Sequence, residues 1–552
     1  MSEAEEIIQL RDRERTRISN YYSLCQDVAD LMFPRDNNIL STSSPGSAET
    51  DGIFDVTARQ ESENMASGIL TLLAPANQEF FALRASRRDL NELESVRRYL
   101  DQITEITHEE LFVSNFYMEL PETLRSLICF GTGNMYSEWS VLMGLNYTDY
   151  DIAAYQMLQN AKKRVDTMIL TLPLSARQAV QEFGAENVGK SIREMANDPK
   201  KYSDTVDIIH IVRPRKDRNR LLTDIGNAEF ECLYVAVKDK MVIEGVNPNG
   251  QPNRNGFYEF PFAACRWTRR SNEVHGRGIG TEMLPQVRLV NRIKADFVEL
   301  ANRWARPPKE VLESFDGDVN MGPDALNYVT ERQTITSIEQ GAKGDFIITK
   351  DMLEFEREVI KEAFFKNVLE VLGPLKGDRR TQLEIAERLR EGLKKLSNPI
   401  GRVIVELFNP VITRTVLLLA RNGRFPPAPP ELQGQGFKVD YIGPLVKMLR
   451  DQQIKAFEYW LTLVAGMESV FPGAVDNVDY DRATRDLGES LGVKYSHIRP
   501  VRERDMIRQQ RQQMMEQQQA LQAAQVAAQG YKATTKAPEA GSAAEQLQGA
   551  MS

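Results

Sequence analysis

The sequence predicts an α+β protein that is mainly helical. Apolar residues recur at three- and four-residue steps over most of the chain, a spacing typical of amphipathic helices. Residues 165–267 interrupt this pattern with short β-rich runs and turn signals such as Asn247-Pro248-Asn249-Gly250, which predict an antiparallel sheet. The chain has 552 residues, 42% hydrophobic and 27% charged, which is the balance of a globular protein with material for a large core.

The first part of the chain combines helices with that sheet. The first forty residues are predicted to form one helix, on a stripe that starts at Ile18 and ends at Met32, before Pro34. Further helical patterns cover residues 58–73, 92–112 and 120–130. The strands are expected at residues 165–172, 205–212, 229–237 and 257–267.

A helical arm with an extended insertion is predicted next. One apolar stripe marks a helix over residues 281–305, which ends at Pro307-Pro308. Its members are Met283, Val287, Val290, Phe297, Leu300 and Trp304. Residues 306–350 read as short extended pieces with turns, and residues 351–372 as a second amphipathic helix. The two helices therefore frame an insertion at the tip of an arm.

The next segment, residues 373–380 (GPLKGDRR), is short, basic and contains glycine. It precedes Thr381-Gln382-Leu383-Glu384, a capping-box signature that begins another helix. Residues 381–498 are predicted to be largely helical, with a helix over 402–421 that is interrupted at Pro410 and a last helical block over 445–464.

The composition changes sharply near the end of the chain. Of the 21 residues from Gln509 to Gln529, ten are glutamine and five are alanine, and apolar Ile507, Met514 and Leu521 stand seven apart. Such a thin stripe predicts a helix over residues 499–530 that is stable only when packed against copies of itself. Residues 531–552 are predicted to be disordered.

Several classes of protein are disfavoured by composition. The net charge of −9 argues against tight surface binding of nucleic acid, although DNA could be surrounded or held by local basic residues. The four cysteines and four histidines lack the spacing of a metal site or a disulfide framework, so no metal and no cofactor is expected. No transmembrane helix and no secretory signal are expected, since apolar runs are short and the N-terminus is charged.

One motif suggests catalysis. Residues 184–191 (GAENVGKS) fit the phosphate-binding loop of nucleotide hydrolases, in which Lys190 would reach the terminal phosphates and Ser191 would hold Mg²⁺. The segment before it is an amphipathic helix rather than a buried strand, so we interpret it as a helix–turn–helix connector with Gly184 as the C-cap. Residues 276–280 (GRGIG) are interpreted as a flexible turn into the long helix, and we expect no enzymatic activity.

The sequence resembles the portal, or head-to-tail connector, proteins of short-tailed bacteriophages from about Arg17 to Arg511. The resemblance rests on an ordered series of motifs rather than on any one of them. These are Asp51-Gly52-Ile53-Phe54-Asp55, Leu73-Ala74-Pro75, Phe80-Phe81-Ala82-Leu83, Phe130-Gly131-Thr132-Gly133-Asn134, Phe183-Gly184, Pro261-Phe262, Arg266-Trp267, Glu273, Gly276-Arg277-Gly278, Leu289-Val290-Asn291, Arg306-Pro307-Pro308, Glu406-Leu407-Phe408-Asn409-Pro410 and Gly443-Pro444-Leu445. Phe80 and His275 depart from the aromatic residues that are common in the family at those positions.

The resemblance implies a ring of twelve subunits around a DNA channel, each with wing, stem, clip and crown regions. Residues 1–280 and 381–498 would form the wing, 281–305 and 351–372 the stem helices, 306–350 the clip, 373–380 a channel loop and 499–530 the crown. Twelve helices about 10 Å wide would enclose an opening of about 28 Å, and a DNA duplex is about 20 Å across.

Two sets of basic residues are candidates for contact with DNA in this channel. Lys376, Arg379 and Arg380 are placed on the channel loop, with a solvated helix-capping turn as the alternative. Arg288, Arg292 and Arg303 are placed on the stem helix, with intersubunit salt bridges to Asp296 or Glu299 as the alternative.

The resemblance also implies partners and a location. These are double-stranded DNA, the terminase motor, tail adaptor or nozzle proteins, and the major capsid and scaffolding proteins, but no membrane. The ring would lie at a capsid vertex of the virion and would form in the host cytoplasm. A nucleotide hydrolase that uses Lys190 and a non-portal structural protein of the virion remain as alternatives.

Overall fold

The computed structural model describes residues 2–34, 38–41, 50–87, 89–140, 143–219, 221–222, 224–248, 250–305, 309–311, 335–337, 346–366, 396–467, 471, 473–490, 498–499 and 501–534. The chain divides into two compact units. The first comprises Met1–Ala82, Ile103–Pro427 and Val439–Leu445, and the second comprises Leu83–Gln102, Ala428–Lys438 and Val446–Ser552.

The N-terminal helices lie close to their predicted positions. They are α1 (Glu3–Arg17), α2 (Ser19–Met32), α3 (Thr57–Leu73), α4 (Glu94–Val113) and α5 (Phe116–Phe130), with strand β1 (Phe81–Ala85) between α3 and α4. The single helix predicted over the first forty residues is wrong, because α1 and α2 are separated by a break at Ile18, whose φ and ψ are −103° and 14°. Ser2 and Glu5 form a capping box that begins α1.

The central region folds into two larger sheets rather than one. The strands are β2 (Thr132–Ser140), β3 (Gly144–Asp149), β4 (Tyr155–Gln159), β5 (Val165–Ser175), β6 (Thr205–Pro214), β7 (Phe230–Ala236), β8 (Met241–Val242), β9 (Asn255–Phe257) and β10 (Phe262–Arg266). A six-stranded antiparallel sheet has the order β4-β5-β6-β7-β8, with β9 paired to β7, and a three-stranded sheet has the order β10-β2-β3.

The strand predicted over residues 257–267 is therefore wrong as one strand. Phe257, the first residue of the predicted strand, is the last residue of β9 in the six-stranded sheet. The residues from Phe262 form β10 in the three-stranded sheet. Pro261 lies between the two and has no N–H to donate to a ladder. Its carbonyl instead accepts a hydrogen bond from the Ser137 amide at 3.1 Å.

The six-stranded sheet has helices on both faces. Helices α6 (Ala176–Phe183) and α7 (Lys190–Asn197) cover one face, where Ile208 and Ala236 are buried. α1 covers the other face, where Ile209 and Val235 are buried beside it. Neighbouring residues on one strand thus pack into cores on opposite faces of the sheet, because successive side chains of a strand point to opposite faces.

The two predicted arm helices are present. α8 (Ile279–Ala305) is followed by the short strands β11 (Lys309–Val311) and β12 (Ile335–Ser337), which pair antiparallel, and by α9 (Phe346–Ala363). α9 begins earlier than predicted and ends at Ala363 rather than at residue 372. Phe365 follows in a turn with φ of 57°, which a right-handed helix cannot contain.

Helix α10 (Leu396–Arg421) runs through Pro410, and the interruption predicted there takes the form of a π-helical turn rather than a break in the helix. A π-helical turn over Ile404–Phe408 precedes the proline, which has no N–H to donate. Among the described residues, α10 is the helix whose length and composition would permit it to cross a membrane, and 56% of that stretch is buried inside the protein. Its buried residues Val411, Ile412 and Leu419 occupy the core.

The remaining elements are β13 (Phe437–Tyr441), which pairs with β1, and the helices α11 (Pro444–Met467), α12 (Tyr480–Ser490) and α13 (Val501–Thr534). α13 is the predicted glutamine-rich helix. It continues through Gly530 to Thr534, so the predicted disorder is wrong for residues 531–534. Residues 535–552 lie outside the described part.

Candidate nucleic-acid interface

α8 begins where loop 273–278 packs against the end of α5. A Cβ atom on Gly276 would lie 2.1 Å from the carbonyl oxygen of Gly131, and one on Gly278 would lie 2.4 Å from that of Ile128. Gly131 itself ends α5 with φ of 90°. The turn lies where the sequence predicts it, but its predicted flexibility is wrong, because these glycines allow backbones to pack in direct contact.

Asn291 fastens α8 to the segment before α3. Its Oδ1 atom accepts hydrogen bonds from the amides of Phe54 at 2.7 Å and Asp55 at 3.1 Å. Its Nδ2 atom donates to the carbonyl of Gly52 at 2.9 Å. Sequence comparison identified both segments only as family motifs, and the structure shows that they bind each other.

Asp55 extends this contact to α9. Its carboxylate accepts hydrogen bonds from Arg357 Nε at 2.9 Å and from the amide of Thr57 at 3.0 Å. Burial raises the pKa of Asp55, but the bonds from Thr57 and Arg357 outweigh it, so that this pKa lies below its ordinary value. The charged carboxylate therefore ties α9 to the segment before α3, and Asn291 ties α8 to the same segment.

A buried ion pair lies close to the same loop. The Arg266 side chain, which is 4% exposed, makes a bidentate contact with Glu406 at 2.8 and 3.1 Å. Its backbone amide donates to the same carboxylate at 3.0 Å. The pair joins β10 to the π-helical turn of α10. No local pattern in the sequence points to it, since the two residues are 140 positions apart.

Two of the three predicted DNA-contacting residues on α8 make ion pairs within the chain. Arg288 lies 2.7 Å from Asp27 on α2, and both side chains are about half exposed. Arg292 is 84% exposed and lies 4.0 Å from Asp296 on the same helix, so this carboxylate is within reach of it inside the chain. Arg303 lies near the end of α8, and its side chain is outside the described residues.

The three residues predicted on the channel loop, Lys376, Arg379 and Arg380, also lie outside the described residues. Within the described part of the chain, the candidate interface therefore consists of α8, α9 and the contacts at their base.

The segment that resembles a phosphate-binding loop is a connector between two helices, as predicted. α6 ends at Gly184, with φ of 91°, and α7 begins at Lys190. The amide of Ser191 donates to the Asp239 carboxylate at 3.1 Å, so a carboxylate of the chain occupies the position an anion would take. The Lys190 ammonium group lies 3.7 Å from Glu194.

One buried cysteine–histidine contact lacks the properties of a catalytic pair. His210 Nε2 and Cys232 Sγ lie 3.2 Å apart on the neighbouring strands β6 and β7. Burial lowers the pKa of His210 to about 3 and raises the pKa of Cys232 to about 12, so both are neutral near pH 7. Across the residues that the structure describes, no group of three or more side chains is placed to hold a metal ion.

His275 lies in the loop at the base of α8 and is 4% exposed. Its ring stacks on Tyr21 at 4.6 Å and lies 6.3 Å from Tyr155. In the described part of the chain, neither ring nitrogen has a hydrogen-bond partner. Burial, assisted by nearby Arg266, lowers the pKa of His275 to about 3.

Replacement of His275 by phenylalanine is expected to make the protein less sensitive to acid. In the unfolded chain the imidazole has a pKa of about 6.5, whereas in the folded protein its pKa is about 3. In that window each such histidine lowers the free energy of unfolding by about 1.4 kcal/mol per pH unit as the pH falls. Urea unfolding at pH 7 and pH 4.5 measures the difference. If both proteins lose the same free energy of unfolding between pH 7 and pH 4.5, His275 does not have this role. The variant keeps part of the pH dependence because His210 remains in it.

The fold and this region define a structural subunit with two long helices fastened to a sheet-containing body. The chain belongs to the bacteriophage head to tail connecting proteins, whose family model matches residues 4–498. It is similar to the portal protein of Salmonella phage epsilon15, with 25% identity over 96% of this chain and 94% of that protein. It is also similar to the probable portal protein of Bordetella phage BPP-1, with 23% identity over 90% of this chain and 89% of that protein.

The predicted resemblance is thus confirmed, and the role of the chain is that of a phage portal. Proteins of this family are structural components of the virion at the capsid, and a connector implies partners in the head and in the tail. The match across the phosphate-loop segment also agrees with its structural interpretation.

Proposed function

We propose that twelve copies of this chain close into a ring at one capsid vertex. The ring encloses a channel through which the genome is packaged and later ejected. The terminase motor docks on it first and the tail adaptor afterwards, while the capsid and scaffolding proteins surround the wing during assembly in the host cytoplasm. Membership of the connector family is the observation that carries this proposal.

Exposed apolar helix surface supports the ring. Residues 456–467 of α11 contain one charged residue, Glu458, and none of the twelve is buried. Tyr459 is 67% exposed and Trp460 is 42% exposed. Helices that are apolar on all sides are normally buried. A closed ring gives every copy a neighbour on each side, which is what such a helix needs.

α13 supports the same arrangement. Residues 508–526 are all exposed, although Met514 and Leu521, at a spacing of seven, are apolar. A stripe this narrow stabilises a helix when equivalent helices pack beside it. We therefore assign α13 to the crown.

Sparse basic residues would let the duplex slide. We assign Lys376, Arg379 and Arg380 to the channel loop, and Arg292 and Arg303 to the stem, where α8 and α9 pack together. Arg288 is the weakest candidate because Asp27 neutralises it. Each phosphate contact adds affinity and hence resistance to movement, so few contacts suit a channel.

The insertion at residues 306–350 is assigned as the clip, which would dock the motor and then the tail. β11 and β12 within it pair through Glu310 and Thr336, giving the insertion an antiparallel base. Successive use of one surface by two partners would enforce the order of assembly.

Charge reversal of Lys376, Arg379 and Arg380 to glutamate is expected to leave the ring intact and to reduce the DNA packaged and retained per particle. The cause is the removal of attractive contacts and the repulsion between carboxylates and phosphates. The matched control reverses three exposed lysines of the first unit, Lys200, Lys201 and Lys216.

Negative-stain images of the purified variant test whether the ring forms, and quantitative assays of the DNA in particles measure how much is packaged and retained. Unchanged packaging and retention in the channel variant would refute the channel assignment. A purified chain that stays a compact monomer would refute the ring itself.

A further inference from the structure

Five cations from two distant segments meet near the base of α8. Lys162, Lys163 and Arg164 form the turn between β4 and β5, while Arg269 and Arg270 follow β10. We call these five residues the hairpin cation cluster. Residues 160–165 and 267–272 contain no acidic residue, which is notable in a chain whose net charge is −9. The predicted channel residues are not part of it.

The turn that carries the lysines is ordered by its own hydrogen bonds. Asn160 Oδ1 accepts from the amides of Lys162 at 2.9 Å and Arg164 at 3.1 Å. Lys163 occupies the left-handed region with φ of 62°. The backbone of such a turn is ordered before any ligand arrives, so little backbone freedom is given up on binding.

Two contacts join the turn to the second segment. The carbonyl of Lys163 accepts a hydrogen bond from Arg269 at 3.3 Å, and its ammonium group donates to the carbonyl of Ser271 at 3.4 Å. Residues more than a hundred positions apart in the chain therefore form one surface.

In the described part of the chain these charges are only weakly compensated, since Glu273 attracts Arg270 without forming an ion pair with it. None of the five forms an ion pair with a carboxylate in the described part of the chain. Glu273, which follows the second segment, is held by Arg277 through two bonds of 2.7 and 3.0 Å. The side chains of Lys162, Lys163, Arg164 and Arg270 are exposed.

The chemistry of the cluster favours phosphate over protein. No exposed large apolar side chain lies in residues 160–165 or 267–272. Protein interfaces have apolar and aromatic centres, whereas contacts with the DNA backbone require cations alone. We propose that the hairpin cation cluster, whose residues differ from those predicted for the channel, binds the phosphate backbone of duplex DNA. The proposal rests on the portal function, because that role places the subunit beside the genome.

The test measures binding of a fluorescent 30-base-pair duplex by anisotropy over a range of salt concentrations. The variant carries Lys162→Gln, Lys163→Asn and Arg164→Gln, since asparagine tolerates the left-handed turn. The control carries Lys200→Gln, Lys201→Gln and Lys216→Gln, with the same change in net charge.

We expect the variant to bind about tenfold or more weakly, and the control to bind like the unmodified protein. The salt slope of the variant should fall by about 0.9 for each phosphate that it no longer neutralises. Equal binding by variant and control overturns the proposal. A protein that binds polyglutamate but not the duplex would also overturn the proposal.

Acetylation of the unmodified protein provides a measurement that needs no variant. Bound duplex should protect Lys162 and Lys163 but not Lys200 or Lys201, and equal labelling of all four would overturn the proposal. Failure here is distinguishable from failure of the portal function. A ring without cluster-dependent DNA binding refutes this site alone, whereas cluster-dependent binding by a chain that forms no ring refutes the ring alone.

Discussion

Replacing Arg266 with alanine is expected to lower the free energy of unfolding by about 3–5 kcal/mol. The substitution removes both side-chain contacts to Glu406 and leaves a largely buried carboxylate without its cation. It also separates β10 from the π-helical turn of α10. Thermal or urea unfolding of the purified protein measures the effect, and a lower yield of assembled rings should accompany it.

An exposed pair provides the control. Arg292→Ala removes a contact of 4.0 Å whose arginine is 84% exposed, and it should cost less than about 0.5 kcal/mol. The double variant Arg266→Met with Glu406→Leu should recover much of the stability, because neither charge then remains buried. If Arg266→Ala and Arg292→Ala are equally stable, the buried pair does not hold these elements together.

Helices whose pattern is local were predictable. The helix predicted at residues 58–73 is observed as Thr57–Leu73, and that predicted at 281–305 as Ile279–Ala305. In both, the apolar spacing and the breakers lie within the helix itself or next to it. The end of α9 was not predictable in this way, since nothing local identifies the positive φ of Phe365.

Strand β2 shows why part of the sheet was missed. Thr132, Asn134 and Ser137 are buried, yet their polar side chains lack the apolar character by which buried strands are identified in a sequence. The burial of Thr132 depends on a partner from elsewhere, the Gly276 amide, which donates to Thr132 Oγ1 at 2.9 Å. Such compensation is set by tertiary structure and is not visible in one segment.

The candidate interface was predictable in outline but not in its contacts. The sequence identified the arm helices and their basic residues. It could not pair Asp55 with Arg357, which is 302 positions away, or bring Lys163 to Arg269. Helices can be predicted from local sequence patterns. Ion pairs cannot, because each charge has many possible partners in the sequence and only the tertiary structure decides which of them lies close to it.

Replacing Gly278 with alanine is expected to prevent folding of the base of α8. The added Cβ would lie 2.4 Å from the Ile128 carbonyl oxygen, 2.6 Å from the Gly131 nitrogen and 3.0 Å from the Cys129 carbonyl oxygen. All three are backbone atoms at the end of α5, so no flexible side chain can move aside. The cost should exceed about 3 kcal/mol, at or beyond the upper range for overpacked sites.

Gly401→Ala is the matched control, because that glycine lies in α10 with no atom within 4 Å of an added Cβ. Alanine favours helices over glycine by up to about 1 kcal/mol, so this variant should be as stable as the unmodified protein or more so. Soluble expression, unfolding temperature and ring formation compare the two. A Gly278→Ala protein that forms rings and unfolds at the unmodified temperature would show that the base of α8 can shift. In that case close backbone packing against the end of α5 would not be needed to hold the start of α8 in place.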